Sequence, residues 1–387
     1  MKLGKNICIA PFTQITYSPF GSASPCPYLG GVSWKFGTHS LSTIWASEQM
    51  TSLRNSFREN QQDPVCSRCW EEESNGKQSL RKMLLTANRY KDSVIDHIQS
   101  EAYLEGPRQI NLRVGNLCNL RCRTCDTFSS VTYAVEGKQY VEQFGSEVAR
   151  YTNHPKVMEF SEQQVDEIIA LTNNVRRIEF YGGEPMLDIP TLRLLEHLVR
   201  NGKSREITLF YNTNGMVKPN HRQLLLWKKF ESLEFNFSID GVGDQFRYIR
   251  HPGSWSDMLD TIDHIRNDIS PLVNAICTVS PLNVYYLPEI IEEFNRLDMK
   301  YFLNLVTNPD YYDVRHMPND VKSAVIQKLS KYPQHAQLDN IKRLLETQGN
   351  LAHWERFLQL TKAKDRYRQE NFRDTFPEFA ELIGWQS

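Results

Sequence analysis

The sequence predicts an α/β protein: a partial (β/α)6 barrel with a small cysteine-rich region before it and a helical region after it. Three observations lead there. Six apolar, β-branched or aromatic runs recur at 109–114, 175–181, 206–211, 233–239, 273–279 and 301–306. Helical patterns lie between most of them, at about 161–171, 189–201, 222–230, 255–266 and 287–297. Seven of the eight cysteines fall outside the six runs. Strand–helix alternation repeated this often predicts parallel strands joined by right-handed crossovers. Six units are too few for an eight-fold closed barrel, which leaves a partial barrel or an open sheet, the former preferred.

The elements follow in order. An apolar run ends near Phe12, a turn follows at Ser18-Pro19-Phe20-Gly21-Ser22, and Pro25-Cys26-Pro27 comes next, so a hairpin is expected. Helical stretches at 42–57 and 79–100 bracket Cys66-Ser67-Arg68-Cys69, and Gly106-Pro107 reads as a boundary. The predicted domains are therefore 1–106, 107–310 and 311–387. Residues after Met317 read as helices, with the charged stretch 362–373 expected to be a solvated face.

Composition narrows the function classes. Forty-five Lys and Arg against 46 Asp and Glu give a formal net charge of -1, which gives no general affinity for nucleic acid or anionic membrane. No apolar run approaches bilayer length, and Met1 to Asn6 show no signal-peptide core, so a cytoplasmic location is the expectation. In that compartment eight cysteines argue for metal ligation over disulfides.

The strongest motif is Cys118-Asn119-Leu120-Arg121-Cys122-Arg123-Thr124-Cys125, directly after the first predicted barrel strand. Three thiolates on one loop can ligate three irons of a 4Fe–4S cluster and leave the fourth open to a cofactor or substrate. A zinc knuckle is the other reading, but it wants a fourth ligand and commonly a nearby His. No His lies between Gln109 and Asn153. Further signals stand at successive strand ends: Tyr181-Gly182-Gly183-Glu184-Pro185, Tyr211-Asn212-Thr213-Asn214-Gly215, and Ser238-Ile239-Asp240-Gly241 with Arg250 shortly after. Each alone reads as a turn or a helix cap. Together, at the strand ends where βα architectures build their sites, they read as one pocket.

These residues carry a resemblance. C-x3-C-x2-C, Gly-Gly-Glu-Pro and Ser-x-Asp-Gly at successive strand ends resemble the radical S-adenosylmethionine (SAM) superfamily, over about 109–306. The resemblance implies a TIM-like partial barrel and a 4Fe–4S cluster on Cys118, Cys122 and Cys125, with SAM chelating the open iron. It further implies that Gly182, Gly183 and Glu184 hold the methionine amino group. Ser238 and Asp240 would contact the ribose, Arg250 would pair with the carboxylate, and Asn214 would line the pocket. One departure stands out: the aromatic residue the family usually places before the third cysteine is Thr124 here. Adenine contact would then come from elsewhere, such as Phe128 or Tyr181.

The N-terminal cysteines form a second set. Cys8, Cys26, Cys66 and Cys69 could close a structural zinc site or a fully ligated 4Fe–4S cluster, and spacing alone leaves both open. Their arrangement resembles the twitch (half-SPASM) domain, which holds an auxiliary 4Fe–4S cluster and usually follows the barrel. Here it precedes it, and it is expected to pack over the barrel mouth. Cys277, in the fifth run, is either a packed thiol or a hydrogen-atom donor to a substrate radical. The segment Tyr311-Tyr312-Asp313-Val314-Arg315-His316 is a candidate lining of the substrate space, with core packing or a surface loop equally open.

The expectation is an enzyme that cleaves SAM and abstracts hydrogen from a peptide substrate, served by an external one-electron reductant such as a flavodoxin or ferredoxin. The alternatives are oxidation or epimerisation of a small aminocyclitol- or sugar-type metabolite and, from another class, a non-catalytic zinc or iron–sulfur scaffold.

Overall fold

In a computed structural model of the chain, the described residues are 4–29, 34–35, 40–74, 79–86, 91–144, 156–332 and 335–385. Their contacts form two compact units: Met1–Gly115 with Met158–Tyr211 and Pro219–Leu233, and Asn116–Val157 with Asn212–Lys218 and Glu234–Ser387.

The first unit is built on β1 (Gln14–Ser18), β2 (Ser22–Ser24), β3 (Trp34–Lys35), β4 (Gln109–Arg113), β5 (Arg177–Tyr181) and β6 (Thr208–Thr213), in the order β3-β2-β1-β4-β5-β6. β1 and β2 make the predicted hairpin, antiparallel with Thr16 opposite Ser24. The cysteine-rich region joins the sheet at its β4 edge: β1 runs parallel to β4 with Gln14 opposite Gln109. β4, β5 and β6 follow in parallel. Ile178, Phe180, Leu209 and Tyr211 turn to the packed face and are buried, each fully buried side chain contributing about 1.5–3 kcal/mol. The helices Glu162–Ala170 and His221–Trp227 start on reciprocal capping boxes, Ser161 with Gln164 and Asn220 with Gln223.

The second unit holds β7 (Ser232–Ser238), β8 (Val273–Val279) and β9 (Lys300–Leu305), all parallel, with Phe235 opposite Val273 and Ile276 opposite Phe302. Burial alternates strictly along β7 and β8. Leu233, Phe235, Phe237, Val273, Ala275, Cys277 and Val279 are buried, while Ser238, Asn236, Asn274, Ile276 and Thr278 share a half-open face. Period-2 alternation of this kind marks one packed and one accessible side. The strand–helix alternation read from the sequence is thus present, and helices from Asn319–Ser330 to Pro377–Leu382 form the C-terminal region.

Two details differ from expectation. A fourteen-residue helix, Val131–Phe144, follows the Cys118–Cys125 loop where no helix was predicted. The stretch 362–373 is only partly a solvated face: Arg366, Gln369, Asn371 and Arg373 are exposed, while Lys364 and Asp365 are buried in the helix Leu351–Arg368. No helix among the described residues is long and apolar enough to cross a membrane.

Candidate functional site

In the first unit, Cys8, Cys26, Cys66 and Cys69 line one pocket, walled by Leu29, Leu80 and Leu84. Three of the thiols are buried and Cys66 is half-exposed. Burial pushes every thiol of the set upward, Cys26 to about 11 and Cys66 to about 12, and neighbouring thiols add to the shift at Cys8. Arg81 ties the set together. Its Nη1 donates to the Ile7 carbonyl (2.9 Å), just before Cys8, and its Nη2 and Nε reach the Glu73 carboxylate (2.5 and 2.8 Å) on the helix carrying Cys69. Four thiols around one pocket supply the complete ligand set of a 4Fe–4S cluster.

The predicted Gly-Gly-Glu turn follows β5 in the same unit. Gly182 and Gly183 have φ of 75° and 55°, and a Cβ on Gly182 would stand 2.5 Å from Arg113 Cγ. Glycine is therefore required by the backbone itself. Glu184 is 1% exposed, and its Oε1 accepts from Met186 N–H (3.0 Å) as the cap of the Pro185–Leu187 turn. Asp188, also buried, has a carboxyl pushed up to about 7 by burial.

In the second unit, the Cys118–Cys125 loop is fixed at many points. Arg121 N–H donates to the His251 carbonyl and Arg123 N–H to the Ile249 carbonyl, both at 2.7 Å. Between the cysteines, the Arg123 guanidinium is buried at 1% side-chain exposure against Asp365 (2.5 Å) and Glu370 (2.6 Å). It lies 3.6 Å from the Tyr248 ring centroid, and its Nε donates to the Tyr248 carbonyl (3.1 Å). Arg368 donates to the Arg121 carbonyl (2.6 Å) and pairs with Glu136 (2.7 Å). Arg123, Tyr248, Asp365, Arg368 and Glu370 went unread in the sequence because the contacts join positions more than a hundred residues apart.

The other predicted residues of this unit gather at the same loop. Asn214 Nδ2 lies 3.6 Å from Cys118 Sγ and donates to Asn119 Oδ1 (2.8 Å). Arg250 Nη1 lies 4.0 Å from Cys122 Sγ, and its Nη2 is 2.9 Å from Asp240 Oδ2. Asp240 Oδ1 accepts from Thr278 N–H (2.6 Å). The ion pair is buried, and Arg250 Nε, like the Thr127 hydroxyl, has no hydrogen-bond partner among the described residues. Buried polar groups are rarely left so, and a bound polar cofactor is one explanation. Three thiols with adjacent orphaned polar atoms therefore fit a cluster and a polar ligand. Ser238 stands on the half-open face beside Ile276. Cys277 does not: it is 0% exposed, pairs in register with Leu303 on the packed face, and has Asn283 Nδ2 3.6 Å from its sulfur. Its sulfur therefore lies away from the open face. Phe128 and Tyr181 are both half-buried. The segment 310–316 packs against the helix Leu351–Arg368, with Tyr312 on Phe357 (6.0 Å) and His316 on His353 (4.6 Å).

Residues 112–294 match the Radical SAM superfamily and residues 8–70 match SPASM, an iron–sulfur cluster-binding domain. Among curated proteins, the chain is 28% identical over 167 residues to the radical SAM cyclopropyl synthase TigE of Paramaledivibacter caminithermalis, covering 43% of this chain and 32% of that protein. It is 20% identical over 248 residues to the GTP 3′,8-cyclase of Petrotoga mobilis, covering 59% of this chain and 66% of that one. The chain thus spans about a third and about two thirds of the length of these relatives. Among solved structures it is similar to native anSMEcpe with bound AdoMet (TM-score 0.41, 16% identity, 58% of this chain and 59% of that one). It is also similar to Streptococcus suis SuiB bound to precursor peptide SuiA (TM-score 0.38, 12% identity, 81% and 64%).

Proposed function

We propose that this chain, which belongs to the radical SAM superfamily and carries a SPASM-type iron–sulfur domain ahead of its radical SAM domain, cleaves SAM reductively and takes a hydrogen atom from a peptide. Held by Cys118, Cys122 and Cys125, a 4Fe–4S cluster would supply the one electron that reductive cleavage of SAM requires. The observation that carries the reading is the three-thiol loop beside the buried Asp240–Arg250 pair, whose Arg250 Nε has no hydrogen-bond partner among the described residues.

The chain's own residues then divide the work. Cys118, Cys122 and Cys125 hold the cluster, and Asn214 buttresses Cys118. Arg250 and Asp240, already paired, present the remaining donor and acceptor positions to the SAM carboxylate and ribose, with Ser238 beside them. Gly182, Gly183 and Glu184 take the amino group. Cys8, Cys26, Cys66 and Cys69 hold an auxiliary 4Fe–4S cluster with every iron ligated, which suits electron transfer. A peptide is favoured by the half-open face of β7–β9, where Asn236, Asn274 and Asn304 offer amides that can pair with a main chain.

The test is anaerobic reduction with SAM. Formation of 5′-deoxyadenosine, lost in Cys118→Ala, supports the reading, and its absence from the cluster-loaded protein overturns it. A deuterated substrate peptide should pass its label to 5′-deoxyadenosine. Label arriving only from an amino-sugar would move the substrate to the small-metabolite class.

A further inference from the structure

Among the described residues of the second unit two buried cations have no carboxylate partner: Lys322, which donates to the Arg315 and Thr347 carbonyls, and Lys364, which donates to the cysteine loop. Arg123 has Asp365 and Glu370, Arg368 and Arg121 share Glu136, and Arg250 has Asp240. Lys364 is 7% exposed, and its ammonium donates only to neutral oxygens among the described residues: the Tyr133 hydroxyl (2.8 Å) and the Arg123 carbonyl (3.2 Å). The Tyr133 ring lies 4.7 Å away. The two charges that press on it most are the cationic Arg368 and Arg123, while Glu136 is taken by the arginines. A buried ammonium without a counter-charge is costly, and an anion brought close to it offsets that cost.

The anion is at hand in the chemistry of the loop. The carbonyl that Lys364 holds (3.2 Å) belongs to Arg123, one residue after Cys122 and two before Cys125. Three thiolates leave a 4Fe–4S cluster net negative in both oxidation states, and more so once reduced. We propose that Lys364 is the buried counter-charge of the cluster on Cys118, Cys122 and Cys125, and that its charge makes this cluster easier to reduce. The inference rests on those three cysteines binding the cluster. It assigns Lys364 a positioning and tuning part, since nothing places it against SAM or substrate. Charge and hydrogen bonding near the sulfurs are the levers by which a protein sets cluster potential.

Three variants separate charge from structure: Lys364→Arg keeps the charge, Lys364→Gln keeps a donor without it, and Lys364→Met keeps neither. The readout is a redox titration followed by EPR, on the signal that changes when SAM is added. The reduced-to-oxidised ratio at a fixed poise is expected to fall at least tenfold in the Gln and Met variants, equivalent to about 59 mV for a one-electron couple, and to stay near wild type in the Arg variant. A Gln variant with the wild-type potential overturns the proposal. If the Gln variant fails to load iron, thermal unfolding of the unloaded protein decides. Unloaded Gln and Met variants at least as stable as wild type support a missing counter-charge, and less stable ones make Lys364 a structural donor and overturn it. A wild-type protein with no SAM-responsive cluster would instead sink the functional reading on which this rests.

Discussion

The two cysteine sites are built in opposite ways. Around Cys8, Cys26, Cys66 and Cys69 the supports are local and largely apolar, with one buried arginine, Arg81, neutralised by Glu73. Around Cys118, Cys122 and Cys125 the supports are charged and come from the far end of the chain: Tyr248, Lys364, Asp365, Arg368 and Glu370. A site whose four ligands are complete needs mainly to be enclosed. A site that leaves one iron for a ligand and must accept an electron needs its charges arranged. The difference between the sites is thus a difference between containment and control.

That comparison can be broken in order of expected effect. Cys118→Ala should abolish 5′-deoxyadenosine formation while the N-terminal iron stays, as read by iron analysis and product assay. Arg123→Ala leaves Asp365 and Glu370 facing each other in a buried pocket and should cost about 3–5 kcal/mol in denaturant unfolding; a loss under about 1 kcal/mol would show that the clamp is decorative. Asp188 adds a pH test in the other unit. Burial raises its folded pKa to about 7, above the unfolded value, so its contribution to stability is full below about pH 4 and is lost as pH rises through about 7. Asp188→Asn should flatten that slope, gaining on wild type by about 2–4 kcal/mol at pH 8 relative to pH 4. Equal slopes in both proteins would mean the carboxyl is not strained. The smallest effect belongs to Cys277→Ala: about 1 kcal/mol of stability, with product identity by mass spectrometry unchanged. A changed product would restore the hydrogen-donor role that the packed-face position disfavours.

Much of this was legible because it is local. Strands such as Leu233 to Ser238 announce themselves by period-2 alternation, and both cysteine groups are visible from spacing and turn residues. The clamp was not, because Lys362 to Arg373 reads as solvated charge when taken alone. A finer signal was present. Trp354, Phe357, Thr361, Lys364 and Arg368 continue a single i, i+3/i+4 stripe, so the apolar face of the helix runs directly into its charges. Charged residues on a core stripe point to buried partners, but the sequence does not name them. The Asp240–Arg250 pair was read as two separate contacts for the same reason: ten residues apart, nothing local says that they meet.

The central claim is that the chain holds two independent clusters, one closed and one open. It is tested most directly by metal analysis of anaerobically prepared protein in which Cys118, Cys122 and Cys125 are all Ala. The account predicts about four irons per chain with a 4Fe–4S absorbance and no change of signal on adding SAM. One tightly held zinc, or no iron at all, would contradict it and reduce the N-terminal cysteines to a structural element beside a single-cluster site.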